Sequence, residues 1–235
     1  MRYIIRNRTA IEALLVTALI AFSACASERA ARRSPGIFVD KGYGAADFST
    51  YTRFAVLDFL EGAPSGEASI CSVARLPLHK GDVEAGSGET VADHIHLAMA
   101  QADFPLTERS AVRKAYLNTN EPDRIANGVS LATSVAKVTG ADAVVMGCVA
   151  RFEELVGGKY SADKPAHVSF GVVVFDPARS GIVWAGKFDK MQRSLFEDLF
   201  QWRIFFKGAM TWQTADALSG VGADFLVERM PKPRR

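Results

Sequence analysis

The chain has 235 residues, of which 49% are hydrophobic and 23% charged, a composition typical of one sizeable globular domain or two small ones. Three of its 28 basic residues and one of its 26 acidic residues lie in the first 24 positions, so the remainder carries 25 of each and is neutral. A neutral chain lacks the basic surface that binds nucleic acid, and we expect no nucleic-acid partner.

Residues 1–24 have the pattern of a signal peptide for export. Arg2, Arg6 and Arg8 form a basic head. The apolar run from Ala13 to Phe22 follows, and it is too short to span a bilayer as a mature helix. No later stretch of the sequence is apolar enough to cross a membrane.

Cys25 stands at the end of this segment, where two cleavage positions compete. A cut after Ala26 satisfies the small-x-small rule for signal peptidase and discards the cysteine. A cut before Cys25 resembles processing at a bacterial lipobox, which Ser23 and Ala24 match and Phe22 does not, since Leu is usual there. We favour the second cut, which makes the mature protein a lipoprotein whose Cys25 carries diacylglycerol and palmitate.

Each buried acyl CH₂ contributes about 0.8 kcal/mol, so two or three chains attach the protein to membrane lipid permanently. The residue after the cysteine is Ala26 and not Asp, which in Gram-negative lipoproteins directs sorting to the outer membrane, facing the periplasm. Residues 25–50 are then the lipidated N-terminus and a flexible tether rich in Ala, Arg, Gly and Ser. Residues 51–230 form the periplasmic domain.

The domain begins with an apolar run, Phe54 to Leu60, that predicts a buried strand. Residues 61–88 form a long loop. Apolar residues spaced by three and four predict a helix over residues 89–103, with Ser87 as its N-cap. Residues 104–107 predict a short edge strand.

Two further helices precede the main strands. Residues 110–117 predict a short helix capped by Ser110 or Thr107, and Ile125 to Thr139 predict a longer one that ends at Gly140.

Three consecutive strands follow, over residues 143–155, 167–175 and 181–189, with a hairpin loop between the last two. In the first of them the even-numbered side is the predicted buried face. From Ser194 to about Met230 the pattern is helical. The order of elements predicts an α/β fold: a single domain with a mixed β-sheet covered by helices, a late antiparallel meander and C-terminal helices.

Four stretches of the sequence, YTRFAVLDF, FPLTERSAV, TGADAVVMGCVARFEE and VSFGVVVFDPARSGIVWAGKFD, occur in an order that resembles a known superfamily. It contains the curli-secretion pore subunit CsgG, the penicillin-binding-protein activator LpoB, the N-terminal domain of TolB and uncharacterised lipoproteins. The resemblance covers roughly residues 51–230. It implies an α/β domain at the outer membrane that binds proteins and has no catalytic role.

The sequence shows no catalytic, cofactor-binding or metal-binding constellation. His94 and His96 lie about 200° apart on the predicted helix and cannot chelate one ion. His79 and His167 are isolated in the sequence. The stretch from Gly86 to Gly88 suits a helix cap better than an anion site, because it lacks the third Gly of a dinucleotide fingerprint and the Lys of a P-loop.

Cys71 and Cys148 leave two alternatives open. An oxidising compartment allows a disulfide that ties the long loop to the sheet. The place of Cys148 on the predicted buried face favours instead a free thiol that packs as a small hydrophobe.

An aromatic-rich segment lies near the C-terminus. It packs on the sheet as part of a C-terminal helix, or it forms a patch that binds a partner, since one helical stripe does not need so many aromatics. The candidate partner-binding residues are Phe196, Phe200, Trp202, Phe205, Phe206 and Trp212.

Three functions are compatible with these features. The first is a membrane-anchored lipoprotein that binds an envelope protein as a regulator or assembly factor and is not an enzyme. The second is a subunit of an oligomeric, CsgG-like secretion or transport assembly, which would make the protein a homo-oligomer. The third is an enzyme acting on envelope polymers, which requires a pocket with converging ionisable groups.

Overall fold

The computed structural model describes residues 37–39, 47–62, 71, 74–120, 122, 128–158, 161–192 and 213–233. The chain divides into two units, Met1–Pro35 and Gly36–Arg235, and all described residues belong to the second. The predicted signal peptide, Cys25 and the six aromatic residues of the predicted patch lie outside the described residues.

The described residues form eight strands, a 3₁₀ turn at Phe48–Thr50 and four helices. The strands are β1 (Ile37–Val39), β2 (Phe54–Val56), β3 (Leu60–Glu61), β4 (Ala143–Glu153), β5 (Val156–Gly158), β6 (Ser161–Lys164), β7 (His167–Asp176) and β8 (Gly181–Met191). The helices are α1 (Ser87–Gln101), α2 (Arg109–Leu117), α3 (Val129–Thr139) and α4 (Ala215–Val227).

The main sheet is mixed, as the sequence predicts. Its order is β1-β8-β7-β4-β2, and β3 also pairs with β4. Strands β2 and β3 run parallel to β4, whereas β4, β7, β8 and β1 are successively antiparallel. The predicted late meander is therefore confirmed as β4-β7-β8. Strands β5 and β6 form a separate two-stranded ribbon between β4 and β7.

The edge of β4 that faces away from β7 is covered by three short segments in succession. Strand β2 pairs with its beginning and β3 with its middle. Residues 81–83 pair with its end, where the amide of Gly81 donates to the carbonyl of Ala150 at 3.0 Å and the amide of Phe152 donates to Asp82 at 2.8 Å. The long predicted loop thus supplies one of the strand partners of β4.

The strand predicted over residues 54–60 is split into β2 and β3. The amide of Leu57 still donates to Val145 of β4, at 2.9 Å, but the amide of Phe59 donates to Gly88 in the first turn of α1, at 3.2 Å. The amide of Phe59 is therefore bonded to the helix and not to β4. Likewise, the predicted edge strand at residues 104–107 is reduced to one bridge between Phe54 and Leu106.

Helices cover both faces of the sheet. Helices α1 and α4 pack on one face, with Val145, Phe170 and Phe188 among the buried residues of that core. Helices α2 and α3 pack on the other, together with Cys71 and Leu76 from the long loop. We call these the α1/α4 face and the α2/α3 face.

Strand β4 is buried on both faces, which corrects the prediction that only its even-numbered side is buried. Val144 faces the α2/α3 core and Val145 faces the α1/α4 core. A register shift between Val149 and Arg151 then reverses the alternation, so that Phe152 reaches the α1/α4 core. A central strand with a helical layer on each side has no solvent-facing side.

Helix ends follow the predictions in part. Gly140 ends α3 in the left-handed conformation, with φ of 67°, and its amide donates to Ala136. Gly86 and not Ser87 precedes α1, and Glu108 precedes α2, in both cases without a side-chain cap. At α1 a tertiary contact replaces the cap, because the amide of Gly88 donates to Oε1 of Glu61 at 3.0 Å.

Candidate functional site

A polar cluster occupies one end of the α2/α3 face, where the helices no longer cover the sheet. Register places Arg151 of β4, Ser169 of β7 and Asp189 of β8 side by side in one row across three strands. His167 lies in the next row and Lys187 in the row before. Side chains in the same row or in adjacent rows on one face of a sheet are close enough to form hydrogen bonds or ion pairs.

Asp189 is the centre of this cluster, and its side chain is only 6% exposed. It accepts hydrogen bonds from Nδ1 of His79 and from Nε2 of His167, the latter at 3.2 Å, and Nζ of Lys187 lies 3.8 Å away. Burial acts to raise the pKa of Asp189, but the two imidazoles and the lysine outweigh it and hold the pKa below its usual range. The carboxylate is therefore ionised at neutral pH.

His167 is bonded through both ring nitrogens. A guanidinium nitrogen of Arg151 lies 2.8 Å from Nδ1 of His167. Arginine has no acceptor, so Nδ1 must be the acceptor and the ring proton must be on Nε2, which donates to Asp189. The partners thus define a neutral imidazole in the Nε2–H form.

A second carboxylate, Glu153, lies on the other side of Arg151. Its Oε1 is 3.4 Å from Nε of Arg151 and accepts the amide of Asp82 at 3.3 Å, while Oε2 is 3.0 Å from Nζ of Lys164. Burial acts to raise the pKa of Glu153, but these partners outweigh it and hold the pKa below its usual range. Arg151 therefore lies between an imidazole and an ionised carboxylate.

Residues 76–83, which we call the crossing segment, run over this cluster from β8 to the far edge of β4. Lys187 donates to the carbonyl of Pro77 at 2.5 Å, and Arg151 donates to the carbonyl of Lys80. The segment passes over β7 at Gly171, where a Cβ would lie 2.6 Å from Cδ1 of Leu76. A side chain at that position would not fit beneath the segment.

A disulfide joins Cys71 to Cys148 and fixes the chain that leads into the crossing segment. The two Cα atoms are 6.2 Å apart, within the range that a disulfide spans. This corrects the preference for a free thiol. Cys148 is buried, as predicted, but the long loop passes over it and brings Cys71 into bonding range.

Ser169, His167 and Asp189 come together in space, although the sequence separates them, but they do not form a catalytic triad. Both ring nitrogens of His167 are bonded to other groups, so none accepts the proton of Ser169. The hydroxyl of Ser169 is buried and has no hydrogen-bond partner among the described residues. The cluster therefore holds the crossing segment and does not activate a nucleophile.

Among the described residues no group of His, Cys, Asp and Glu is arranged to hold a metal ion. In the polar cluster Arg151 and Lys187 supply the positive charge that a cation would bring. The other two histidines are apart: Nε2 of His94 donates to Asp216 of α4 at 2.9 Å, while burial and then nearby Arg109 lower the pKa of His96.

The N-terminus of α1, which the sequence marks with Gly86 to Gly88, is occupied by this chain's own carboxylate. Oε1 of Glu61 accepts the amide of Gly88 at 3.0 Å. A Cβ at Gly88 would lie 2.2 Å from the carbonyl oxygen of Phe59, so glycine permits the close approach of β3 to the helix. The predicted cap does lie at the start of α1, but the capping group is the carboxylate of Glu61 and not Ser87.

A second ionic network closes the sheet edge at β2. The guanidinium of Arg109 donates to the carbonyl of Val56 at 2.7 Å, to Asp58 at 2.5 Å and to Asp93 at 2.9 Å. Arg113 pairs with Asp58 and with Glu89 of α1. This network joins α2 to α1 around the last residue of the edge strand.

The hairpin turn after β7 is fixed in a similar way. Asp176 accepts the amides of Ala178 and Arg179 and the hydroxyl of Tyr51, the last at 2.8 Å. Burial, followed by the bond to Asp176, raises the pKa of Tyr51 to about 12.

A small groove between α1 and α4 has a volume of about 190 Å³, less than typical small-molecule sites. Its apolar floor is formed by Ala98, Ala102 and Val227, and Lys232 lies at its rim. No described helix is long and apolar enough to cross a membrane.

The polar cluster is the feature that sequence reasoning missed. Its members stand at positions 79, 151, 167 and 189, too far apart for a motif. The available signal was the placement of Arg151 and Glu153 two apart at the end of a hydrophobic strand, on the odd-numbered side opposite its predicted buried face.

No protein-family model matches this chain, and no curated protein matches it. Similar solved structures include a PelC dodecamer from Paraburkholderia phytofirmans, with 10% identity, a TM-score of 0.45 and coverage of 85% of this chain and 98% of that chain. The C-terminal domain of LpoB from Salmonella enterica has 14% identity and a TM-score of 0.38, over 63% and 88% of the two chains. Lipoprotein GNA1162 from Neisseria meningitidis has 14% identity and a TM-score of 0.39, over 68% and 99%.

These similarities are too low to assign the chain to a family. The assignment of this chain to the superfamily that contains CsgG and TolB stays a prediction.

Proposed function

We propose that this protein is an exported lipoprotein, anchored to the outer membrane through acylated Cys25, whose α/β domain binds another envelope protein without catalysing a reaction. The observation that carries the export part is the Cys71–Cys148 disulfide. Disulfides form and persist in oxidising compartments such as the bacterial periplasm and are rare in the cytosol. The disulfide agrees with the signal-peptide pattern of residues 1–24.

The anchor is tested by metabolic labelling with palmitate. Wild type and Cys25→Ser are expressed in a bacterium that processes lipoproteins, and labelled protein is quantified after immunoprecipitation. We expect label only in the wild type, and a mature mass that begins at residue 25 with added acyl groups. Equal labelling of the two, or a mature N-terminus at residue 27, would refute the anchor. Fractionation of inner and outer membranes then tests the sorting that Ala26 predicts.

The non-catalytic role is supported by how the ionisable groups of the polar cluster are used. Asp189 and His167 are both bonded within the cluster, and Arg151 and Lys187 donate to carbonyls of the crossing segment. Groups used in this way stabilise a surface and leave no acid, base or nucleophile poised for substrate. We therefore propose that the cluster catalyses no reaction, and the partner-binding role rests on the aromatic segment near the C-terminus.

Cross-linking in intact cells, followed by mass spectrometry, identifies the partner. The aromatic segment is the proposed contact, so the photoreactive residue is placed at Trp202 or Phe206, with Lys114 on the exposed side of α2 as the control position. We expect one discrete adduct from the aromatic positions and none from the control. Adducts only to a second copy of this chain would favour the homo-oligomeric assembly, and light scattering after detergent extraction measures its size.

A further inference from the structure

Arg151 contacts both the crossing segment, at the carbonyl of Lys80, and one ring nitrogen of His167. In the neutral Nε2–H form, Nδ1 of His167 accepts from Arg151 at 2.8 Å. A second proton would be added at Nδ1. The new Nδ1–H group would point at the guanidinium of Arg151, which can only donate. The positive charges of His167 and Arg151 would then face each other.

Asp189 does not oppose this change. Its Oδ1 accepts Nε2–H of His167 at 3.2 Å in either protonation state. Protonation therefore removes the bond on the Arg151 side of the ring and leaves the bond on the Asp189 side as an ion pair. The imidazole stays in place while the guanidinium loses its acceptor.

Arg151 has a second acceptor within reach. Its Nε is buried, has no hydrogen-bond partner among the described residues and lies 3.4 Å from Oε1 of Glu153. A small rotation of the guanidinium toward Glu153 would form a charge-assisted bond. The same rotation would withdraw the nitrogen that donates to the carbonyl of Lys80. In such a second arrangement of Arg151, the crossing segment would lose its contact with the guanidinium and keep the amide of Asp82 bonded to Glu153.

We propose that protonation of His167 turns Arg151 from the imidazole to Glu153 and releases the crossing segment from the end of β4, so that the segment is a pH-sensitive cover on the α2/α3 face. Imidazole is the side chain whose charge ordinarily changes between pH 5 and 8. The inference does not depend on the proposed function, since it concerns only contacts within the domain.

The other charged groups around the ring do not reverse this effect. His79 donates Nδ1–H to Asp189 whether it is neutral or protonated. The carboxylates of Asp189 and Glu153 stay ionised in this range, because their partners lower the pKa of each. The remaining charged groups near the cluster are Lys80, Asp82, Lys164 and Lys187.

Two backbone amides report whether the segment is docked. The amide of Phe152 donates to Asp82, and the amide of Gly81 donates to Ala150. The amide of Leu57 donates to Val145 at the other end of β4 and serves as an internal control. Release of the segment exposes the first two amides to solvent and leaves the third protected.

The experiment is hydrogen exchange of the full chain in detergent, measured by NMR at pH 7.5 and pH 5.0 and expressed as protection factors to remove the intrinsic pH dependence. We expect the protection of Phe152 and Gly81 to fall by roughly tenfold at pH 5.0, the effect of losing one hydrogen bond to a charged group. Leu57 should not change. A parallel fall at Leu57, or no fall at all, would overturn the proposal.

The matched control variant is His167→Gln, whose amide oxygen accepts from Arg151 and whose NH₂ donates to Asp189 at every pH. We expect its protection factors at the two reporter amides to be equal at pH 7.5 and 5.0, and those of His79→Gln to fall as in the wild type. The same pH dependence in His167→Gln would contradict the mechanism. A ¹⁵N spectrum of the wild-type imidazoles at pH 7.5 gives a second measurement, because an Nδ1–H form of His167 would overturn the proposal without any variant.

Discussion

The disulfide between Cys71 and Cys148 should contribute a large part of the stability of the domain. It closes a loop with a sequence separation of 77 residues. The chain-entropy relation for a loop of this length gives about 4.5 kcal/mol at 25 °C, gained by restricting the unfolded chain. Because single domains are stable by about 5–15 kcal/mol, reduction should bring this one close to marginal stability.

Reduction of the bond in the wild-type domain isolates this contribution, because it keeps both sulfur atoms in place. Both cysteines are buried, so replacement with Ala also leaves a small cavity. We expect Cys71→Ala, Cys148→Ala and the double variant to be equally unstable within about 1 kcal/mol, since each breaks the same bond. The reduced wild type should be slightly more stable than these variants.

The assay is urea unfolding followed by tryptophan fluorescence, to which Trp184 contributes from its buried place in the α1/α4 core. It is done in a Cys25→Ser background, which leaves Cys71 and Cys148 as the only thiols. With a slope of about 2 kcal/mol per molar urea, the midpoint should fall by roughly 2 M on reduction. Equal midpoints with and without reductant, or two free thiols in the denatured unreduced protein, would refute the reasoning.

Three further substitutions test contacts that position the elements. Because the pKa of Tyr51 is raised to about 12, its hydroxyl proton is held more tightly in the folded state. The contribution of Tyr51 to stability is therefore fully present below pH 10, and about 3 kcal/mol is lost as pH rises through 12. Tyr51→Phe should abolish this alkaline loss in denaturant titrations at fixed pH. Arg109→Met should lower the free energy of unfolding by about 2 kcal/mol, since it removes the hydrogen bonds to Val56, Asp58 and Asp93, whereas Lys114→Met on the exposed side of α2 should change it by less than about 0.5 kcal/mol. Gly88→Ala should cost about 1–3 kcal/mol in thermal unfolding, because its Cβ would overlap a backbone carbonyl, whereas Gly181→Ala has no atom closer than 3.6 Å and should cost little.

Each of these predictions has a result that contradicts it. The Tyr51 argument is wrong if Tyr51→Phe loses stability between pH 10 and 12 as the wild type does. Equal effects of the Arg109 and Lys114 substitutions would show that the edge network contributes no more than a surface charge. A Gly88→Ala domain as stable as Gly181→Ala would show that the helix can move away from Phe59 at no cost.

Local patterns in the sequence were sufficient for most elements of the fold. The three- and four-residue spacing of apolar residues predicted α1, and the left-handed stop at Gly140 predicted the end of α3. Turn residues between two apolar runs predicted the hairpin of β7 and β8. These features depend on residues within one element or one turn, where backbone geometry and burial act directly on the sequence.

The features that were not predicted depend on contacts between distant segments. Nothing near Cys71 indicates that its segment passes over Cys148, and nothing near His79 indicates a carboxylate at position 189. The interruption of the first strand is of the same kind, since Phe59 leaves the sheet to bond with Gly88 of a helix that begins far along the chain. Each of these positions is determined by contacts between segments that are distant in the sequence. Such contacts leave no periodic pattern of residues in a single sequence.

The polar end of the α2/α3 face exists because β4 does not alternate regularly. In an unbroken strand, Val145 and Val149 would be followed on the α1/α4 side by Arg151, since side chains alternate with a period of two. That arrangement would bury a guanidinium against the aromatic core. The register shift after Val149 turns Arg151 to the other face and gives Phe152 the place in the core. The irregularity thus keeps the core apolar and, by the same step, supplies the cation that holds the crossing segment.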